Sequence, residues 1–567
     1  MMNRSHRAVR VAVLCALVWA GCGDDGEEIV GGQARPQAEA FIQGAPFHGL
    51  NGMNFDSEGN LYMASVKGRE IIKMDPETGE VLQTLGPADG VDTPDDLTFG
   101  PDGSLYWTSL ETGFVGRRKP SGEVTTQFVG LGVNPITFSA SGRLFVALDF
   151  YGDGLYELDP ELVEPPALII PRLGWLNGFD FGPDGLLYGP IITLSKLVRI
   201  DVDTPSMEDL PVPVSITTAA KFDSQGRLVV TESQIGQVSR IDISTWEKEV
   251  LVSGMNMGQD NLALDPQDRL YVSRFSDSSV IEVLNDGSLR TVSPEGISYV
   301  GGLAVLTPPG GAESLFLADQ WTVRQYEIST GELVEVVFSN PFDPTAPINA
   351  NAVSADGDKL ILTTYMGFVP EIQIWDPVAS GPERLLAYSP PFVRLPLNAI
   401  AFQGRLAVAE TFLDLSGGQV ISVSKDELSD QTVLAAGLGV PVGMVAIADD
   451  LYVADWSAGT VLRIVSDGQP LAVPDVIADG LAQPEGLTAE DDGALLVVET
   501  GTGSLLRIEI AGGDVSTVID GLGLGFEAVP GPGHPPIWFF NDVAVGSDGA
   551  IFVSGDVQNV IYRIDDR

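Results

Sequence analysis

At twelve places between residues 51 and 541 the sequence returns to one register, and at nine of them the side chain is Asn, Asp or Glu. The places are Asn51, Asp95, Asn134, Asn177, Thr218, Asp260, Gly301, Asn349, Asn398, Val442, Glu485 and Asn541. Carboxylates and amide carbonyls are hard oxygen donors, and about six to eight of them around one point suit calcium. The same residue types also close local turns on the backbone, so the cation reading needs a fold that makes these positions converge. A second set of acids, Asp149, Glu232, Asp319, Glu410, Asp455 and Glu499, ends the following apolar run of several copies. Such an acid can serve as a general base or line a cation-binding rim, although its commoner use is to brace a neighbouring loop. His48 and His534 lie shortly upstream of Asn51 and Asn541. Either is a conceivable base, with solvent-exposed loop positions as the default for both. His534 falls in Gly-Pro-Gly-His-Pro-Pro-Ile-Trp-Phe-Phe, the longest insertion, which is expected to form an apolar lip.

The elements that must position these residues are short strands. Each copy reads polar residue, small residue, aliphatic, any residue, aromatic or aliphatic, a Gly/Asp turn, then a second apolar run, as in Asn51-Gly-Met-Asn-Phe-Asp-Ser-Glu-Gly-Asn-Leu-Tyr. Alternation and β-branched content argue for strands, and turns such as Gly-Pro-Asp-Gly supply the positive φ of a tight hairpin. One copy resolves into strands near 97–99, 105–109, 113–119 and 125–129. Four strands per unit, spaced 39 to 56 residues apart, is the blade of a β-propeller, whose edges are hidden by neighbouring blades. Helical periodicity is not sustained, which excludes a parallel βαβ architecture. Twelve blades exceed an ordinary ring, so the expected fold is all-β, two tandem six-bladed propellers, with seven plus five left open by the spacing. In either ring the innermost strands converge on the axis and bring the recurrent positions together.

Segments such as Pro484-Glu-Gly-Leu-Thr-Ala-Glu-Asp-Asp-Gly-Ala-Leu-Leu-Val-Val-Glu-Thr and Leu451-Tyr-Val-Ala-Asp-Trp resemble the six-bladed propellers of the senescence-marker/gluconolactonase, paraoxonase and NHL-repeat group. The resemblance spans both halves but is one of blades, which serve enzymes and binding proteins alike. Calcium-dependent lactonases of that group hold a central metal through Glu, Asn and Asp side chains at the start of the innermost strands. The resemblance therefore implies calcium, held by Asn51, Asp95, Asn134, Asn177 and Asp260 in the first ring, or by Glu485, Asn541, Asn349 and Asn398 in the second. It also implies hydrolysis of a lactone or similar ester, with His534 or Glu499 as base. The alternative is a recognition scaffold with no catalysis, binding an envelope partner, motivated by the irregular ring positions Gly301 and Val442.

The ends and composition bound these readings. Arg4, Arg7 and Arg10, an apolar run from Val11 to Trp19, and Ala20-Gly21-Cys22 have the layout of a secretory signal. Trp-Ala-Gly-Cys resembles the bacterial lipobox, with Trp19 where Leu is usual, so Cys22 is the expected site of lipidation. The protein is expected to be exported and anchored to the cell envelope. Cys15 would be lost with the signal, leaving no disulfide framework, thiol nucleophile or Cys-ligated zinc. A formal net charge of −47 repels phosphate backbones, so nucleic acid is not an expected partner. No Gly-x-Ser-x-Gly, His-Glu-x-x-His or Gly-Lys-Ser/Thr pattern occurs. The expected division is a signal over 1–21, an acidic tether over 22–37, a first propeller over 38–292 and a second over 293–567. Copy twelve lacks an outer strand, and 38–43 looks like a strand without a blade. We expect that strand to complete copy six beside 279–284, freeing 288–292 to complete copy twelve beside 560–564.

Overall fold

A computed structural model describes residues 37–340, 343–364, 371–388, 394–412, 416–426, 430–490, 493–527 and 539–565. The expected signal, Cys22, nearly all of the tether and His534 lie outside the described residues.

Twelve antiparallel sheets of four strands follow one another along the chain, each a blade. The hairpins between first and second strands are built by the turn residues the repeat carries. In blade one Asp56 Oδ1 accepts the backbone N–H groups of Glu58 and Asn60 at 2.9 Å each, and Gly59 sits at φ 85°. Asp223 and Asp265 repeat the device. Burial falls from axis to rim. In blade two the second strand, Leu105–Ser109, is wholly buried, whereas the fourth, Val124–Phe128, is half-buried or exposed. An apolar layer fills each gap between blades; Ala64, Ile71 and Leu85 of blade one meet Leu97, Leu105 and Trp107 of blade two. A fully buried Leu or Ile in such a layer contributes about 1.5–3 kcal/mol.

The layers close two rings of six. Met53 and Met63 of blade one pack on Tyr271 and Val280 of blade six. Leu303 and Leu315 of blade seven pack on Phe552 and Ile561 of blade twelve. The seven-plus-five division is thereby excluded.

The expected closure is corrected. Strand Ala38–Gln43 pairs with Val560–Ile564 of blade twelve, from Ala38 opposite Ile564 to Gln43 opposite Val560. Strand Leu289–Ser293 stays in blade six, paired with Ser279–Val283. The first strand therefore belongs to the second ring, and the first ring, from blade one to blade six, is inserted between it and the rest of that ring. The reason is local packing. Ile42 joins Ile297, Phe552 and Ile561 in the layer between blades seven and twelve, and Phe41 stacks on Phe552 at 5.6 Å. Blade six has its own outer strand a short hairpin away, which leaves no edge for another.

Pairing of Leu50 with Ser65, and of Pro94 with Ser109, puts the start of each first strand and the end of each second strand on one face of the ring. These faces of the two rings meet. His48 stacks on Phe526 and Phe539 with ring centres 4.6 and 5.7 Å apart, Phe275 meets Trp321 at 4.8 Å, and Arg69 bonds Glu527 at 3.2 Å.

Candidate functional site

Neighbouring first strands approach so closely at the axis that the second place of the register needs a small residue. A Cβ on Gly443 would lie 2.1 Å from the backbone oxygen of Glu485. Where that place carries an acid, the side chain ties blades together instead: Asp96 accepts the N–H of Ile136 at 3.2 Å, and Asp542 that of Leu303 at 3.0 Å.

In the first ring the recurrent positions converge as a polar cluster. Asn134 and Asn177 both donate through Nδ2 to Asp149 Oδ2, at 3.0 and 2.7 Å, and Asn51 approaches Asp95 Oδ2 at 3.5 Å. Thr218 bonds Thr231 and the backbone oxygen of Gln259. Burial holds Asp95 and Asp149 well above the usual carboxylate range, and the field of Asp260 adds to both. Asp260 itself is raised to about 7 by burial and then by Asp96. Asp149 is fully buried, and its Oδ1 has no hydrogen-bond partner. The buried pair Lys67–Glu111, at 2.8 Å, lies within the field of Asp95.

The second ring gathers fewer oxygens. Glu485 Oε2 accepts both the backbone N–H and the Nδ2 of Asn541, at 2.8 and 3.0 Å. That Nδ2 is also 3.0 Å from Asp556 Oδ2, while Asn541 Oδ1 accepts the N–H of Asp556. Burial and then Asp556 push Glu485 up to about 8, and burial lifts Asp556 to about 6. Apart from Asn351 of blade eight, the rest of the axis is apolar: Leu395, Leu397, Val440, Val442, Phe539 and Phe540 are buried together, with Trp321, Trp456 and Phe526 partly buried against them.

Several expected site residues need correction. Asn349 is not at the ring position of blade eight. It lies outside the sheet at φ 44°, bonded to Ser339, while Asn351 accepts the N–H of Gly302 as Asn541 accepts that of Gly486. The longer connection before blade eight displaces the repeat by two residues, and counting back from the turn acid Asp356, as from Asp56 to Asn51, gives Asn351. Asn398 is buried but stands one place beyond the ring position of blade nine, which Leu397 occupies. The Thr363 hydroxyl bonds the backbone oxygen of Leu397 as the Thr108 hydroxyl bonds that of Asn134, and a shorter hairpin turn shifts the count by one. His48 is not an exposed loop residue. Only 6% exposed, it contacts the second ring, with Nε2 2.6 Å from the backbone oxygen of Asp556 and a pKa lowered to about 4 by burial.

Apart from Asp149, which joins the axial cluster, the acids that end second strands are held by neighbouring loops and side chains. Asp455 accepts the N–H groups of Gly439 and Val440; Asp319 accepts those of Ser298 and Tyr299. Glu499 accepts the N–H of Ala482 at 2.8 Å and the hydroxyl of Thr502. Glu232 and Glu410 are held by Lys248 and Arg394. Sequence reasoning missed Asp556, the equivalent acid of blade twelve, and the aromatics Trp321 and Trp456, which closely follow Asp319 and Asp455. For Asp556 the signal was the place it shares with Asp149, one residue beyond the second strand; Trp321 and Trp456, two residues and one residue after Asp319 and Asp455, share no offset.

Calcium suits the two rings unequally. Among the described residues no three His, Cys, Asp or Glu side chains are grouped as a metal site by themselves, so a cation must draw on amides too. The first ring fits, offering only oxygens, among them the unpartnered Asp149 Oδ1; its amides need only turn their carbonyls inward, a reversal of O and N. The second ring fits less well: Gly301, Leu397 and Val442 bring no side-chain oxygen to the axis and Asn541 Oδ1 is spent on the N–H of Asp556, which leaves Glu485, Asp556 and Asn351.

The fold and its axial faces define a tandem six-bladed β-propeller. No family model and no curated protein matches the chain. Among solved structures it is similar to a streptogramin B lyase, at 15% identity over 51% of this chain and 97% of that one, TM-score 0.37. A gluconolactonase of Xanthomonas campestris shares 15% identity over 42% of this chain and 87% of its own, TM-score 0.34. The extracellular domain of a hybrid two component system from B. thetaiotaomicron shares 13% over 94% of this chain and 82% of its own, TM-score 0.34. The twelve-sheet topology, not these likenesses, defines the fold. Among the described residues no helix is long and apolar enough to cross a membrane.

Proposed function

We propose that the protein is an exported, lipid-anchored recognition propeller whose first ring seats a calcium-like cation at its axis. The observation that carries this reading is the convergence of Asp95, Asp149 and Asp260 with Asn51, Asn134, Asn177 and Thr218, including a buried carboxylate oxygen with no partner. Those carboxylates and the amide carbonyls would hold the ion. Bound calcium would add positive charge beside the buried acids, where Lys67, already paired with Glu111, is the nearby cation. Recognition is favoured over lactone hydrolysis because the described base candidates are engaged elsewhere: His48 in the contact between the rings, Glu499 in bracing Ala482. Because the loop-bearing faces of the two rings meet each other, the surface that would meet a partner is the outer strands and the opposite, hairpin-bearing faces.

Calorimetric titration of chelator-treated mature protein with calcium tests the seat. One site per chain, abolished in Asp149→Asn, is the expected result; no heat, or a site indifferent to that change, overturns it. A lactone panel run on the calcium-loaded protein is expected to give no turnover, and saturable hydrolysis restores the enzymatic reading. Mass spectrometry of the membrane-extracted protein is expected to show Cys22 acylated.

A further inference from the structure

The axis of the second ring is divided between two chemistries. On blades seven, nine and ten it presents Trp321, Leu395, Leu397, Val440, Val442 and Trp456. On blades eleven and twelve it presents Glu485, Asn541 and Asp556, with Phe526 between the halves, its N–H 2.8 Å from Asp556 Oδ2. Asp556 is 2% exposed, and its Oδ1 is buried without a hydrogen-bond partner, although Oδ2 accepts from both Asn541 and Phe526. Among the described residues, the hydrogen bonds to the side chains of Glu485 and Asp556 come from amides and a hydroxyl, and none from a Lys or Arg. The cluster is therefore acidic and short of one donor, and Phe526, which stacks on His48 of the first ring, borders it.

A hard metal ion is the poorer occupant, because Asn351 is the one oxygen-bearing side chain at the ring positions of blades seven to ten, against Gly301, Leu397 and Val442. A cation that brings its own apolar surface satisfies both halves. Aromatic faces attract an ammonium group through the ring quadrupole, and a buried carboxylate supplies the counter-charge. We propose that the second ring binds an organic cation, an ammonium group bearing alkyl or aryl substituents, between Trp321, Trp456, Phe526 and the Asp556 carboxylate. The two rings then divide cations by hardness: oxygens alone in the first, aromatics with a carboxylate in the second. The same chemistry is carried by a free quaternary ammonium compound and by a methylated lysine side chain.

The test uses the full mature chain, reading tryptophan fluorescence and titration heat. The probes are benzyltrimethylammonium, a peptide bearing trimethyl-lysine, and the neutral carbon analogue of the first. Saturable binding of either cation, with the neutral analogue weaker by about tenfold or more, is expected. Whichever cation binds more tightly identifies the source. Trp456→Ala and Asp556→Asn should each weaken binding by about tenfold, with Trp456→Phe retaining most of it. Trp456→Phe also keeps the test decisive if Asp556→Asn does not fold. Asp149→Asn, which removes the proposed calcium seat, should leave ammonium binding intact, so the two proposals fail separately. Equal binding of the neutral analogue, no saturation in the millimolar range, or loss of binding in Asp149→Asn overturns the proposal.

Discussion

The first and second rings are made of the same blade yet differ at the axis and at the seam. The first has acids and amides at its axis and closes by packing alone, blade one against blade six, each complete from contiguous chain. The second lines much of its axis with apolar side chains, and its last blade needs a strand from the far end of the chain. The lesson is that blade-to-blade packing suffices to close a ring. The clasp is therefore a link between the amino-terminal segment and the second ring rather than a requirement of the architecture.

Deleting residues 36–43 should break the comparison most severely. Blade twelve would lose its outer strand, the buried Ile42 and the Asn559 amide's bonds to Ala45 and Phe47 would be loosened, and the second ring should lose about 5 kcal/mol. Calorimetry is expected to show its transition lowered by about 10–20 °C while that of the first ring stays within a few degrees. Equal loss in both rings would show that they unfold as one unit.

Proton linkage should sharpen the comparison next. A carboxyl whose folded pKa lies above its ordinary value binds protons more tightly when folded, so stability falls as pH rises through that interval. Asp95, Asp149 and Asp260 act this way in the first ring, and Glu485, Asp542 and Asp556, raised to about 8, 7 and 6, in the second. In chelator both rings are therefore expected to melt higher at about pH 5 than at about pH 8. Calcium should flatten the dependence of the first ring alone. A flattening of both would place a metal in the second ring as well.

His48 works in the opposite sense. Its folded pKa of about 4 lies below the ordinary 6.5, so its contribution is full above 6.5 and is lost as pH falls to about 4. His48→Ala should cost about 2–3 kcal/mol through lost stacking on Phe526 and Phe539 and a carbonyl left without its donor. Two resolved melting transitions in place of one broad one would be the signature, since this side chain joins the rings. The smallest effect is expected at blade eight. Asn349→Gly, at a position with positive φ, should change stability by less than about 1 kcal/mol, whereas Asn351→Ala, buried between first strands, should cost more. Chemical denaturation of the two variants compares them directly.

The blade was legible because its causes are local. Asp56 and Gly59 make a hairpin wherever they occur with that spacing, and alternation marks the strands around them. The first ring's polar axis followed from the same register, since identical strands around an axis bring identical positions together. Blade eight escaped because its connection is longer, and the register has to be counted from the turn acid rather than from the nearest Asn.

By itself the sequence determined the strand content, the twelve blades, their grouping in two rings and the oxygen-bearing positions of the first axis, all set by short-range pattern and repetition. Only the tertiary structure decided that 38–43 closes blade twelve, that His48 is buried against Phe526, and that Asn541 Nδ2 lies between two buried carboxylates. Each of these depends on which edge, pocket or lone pair remains unfilled after the local elements have formed. That is a property of residues up to some five hundred positions apart, and no local pattern encodes it.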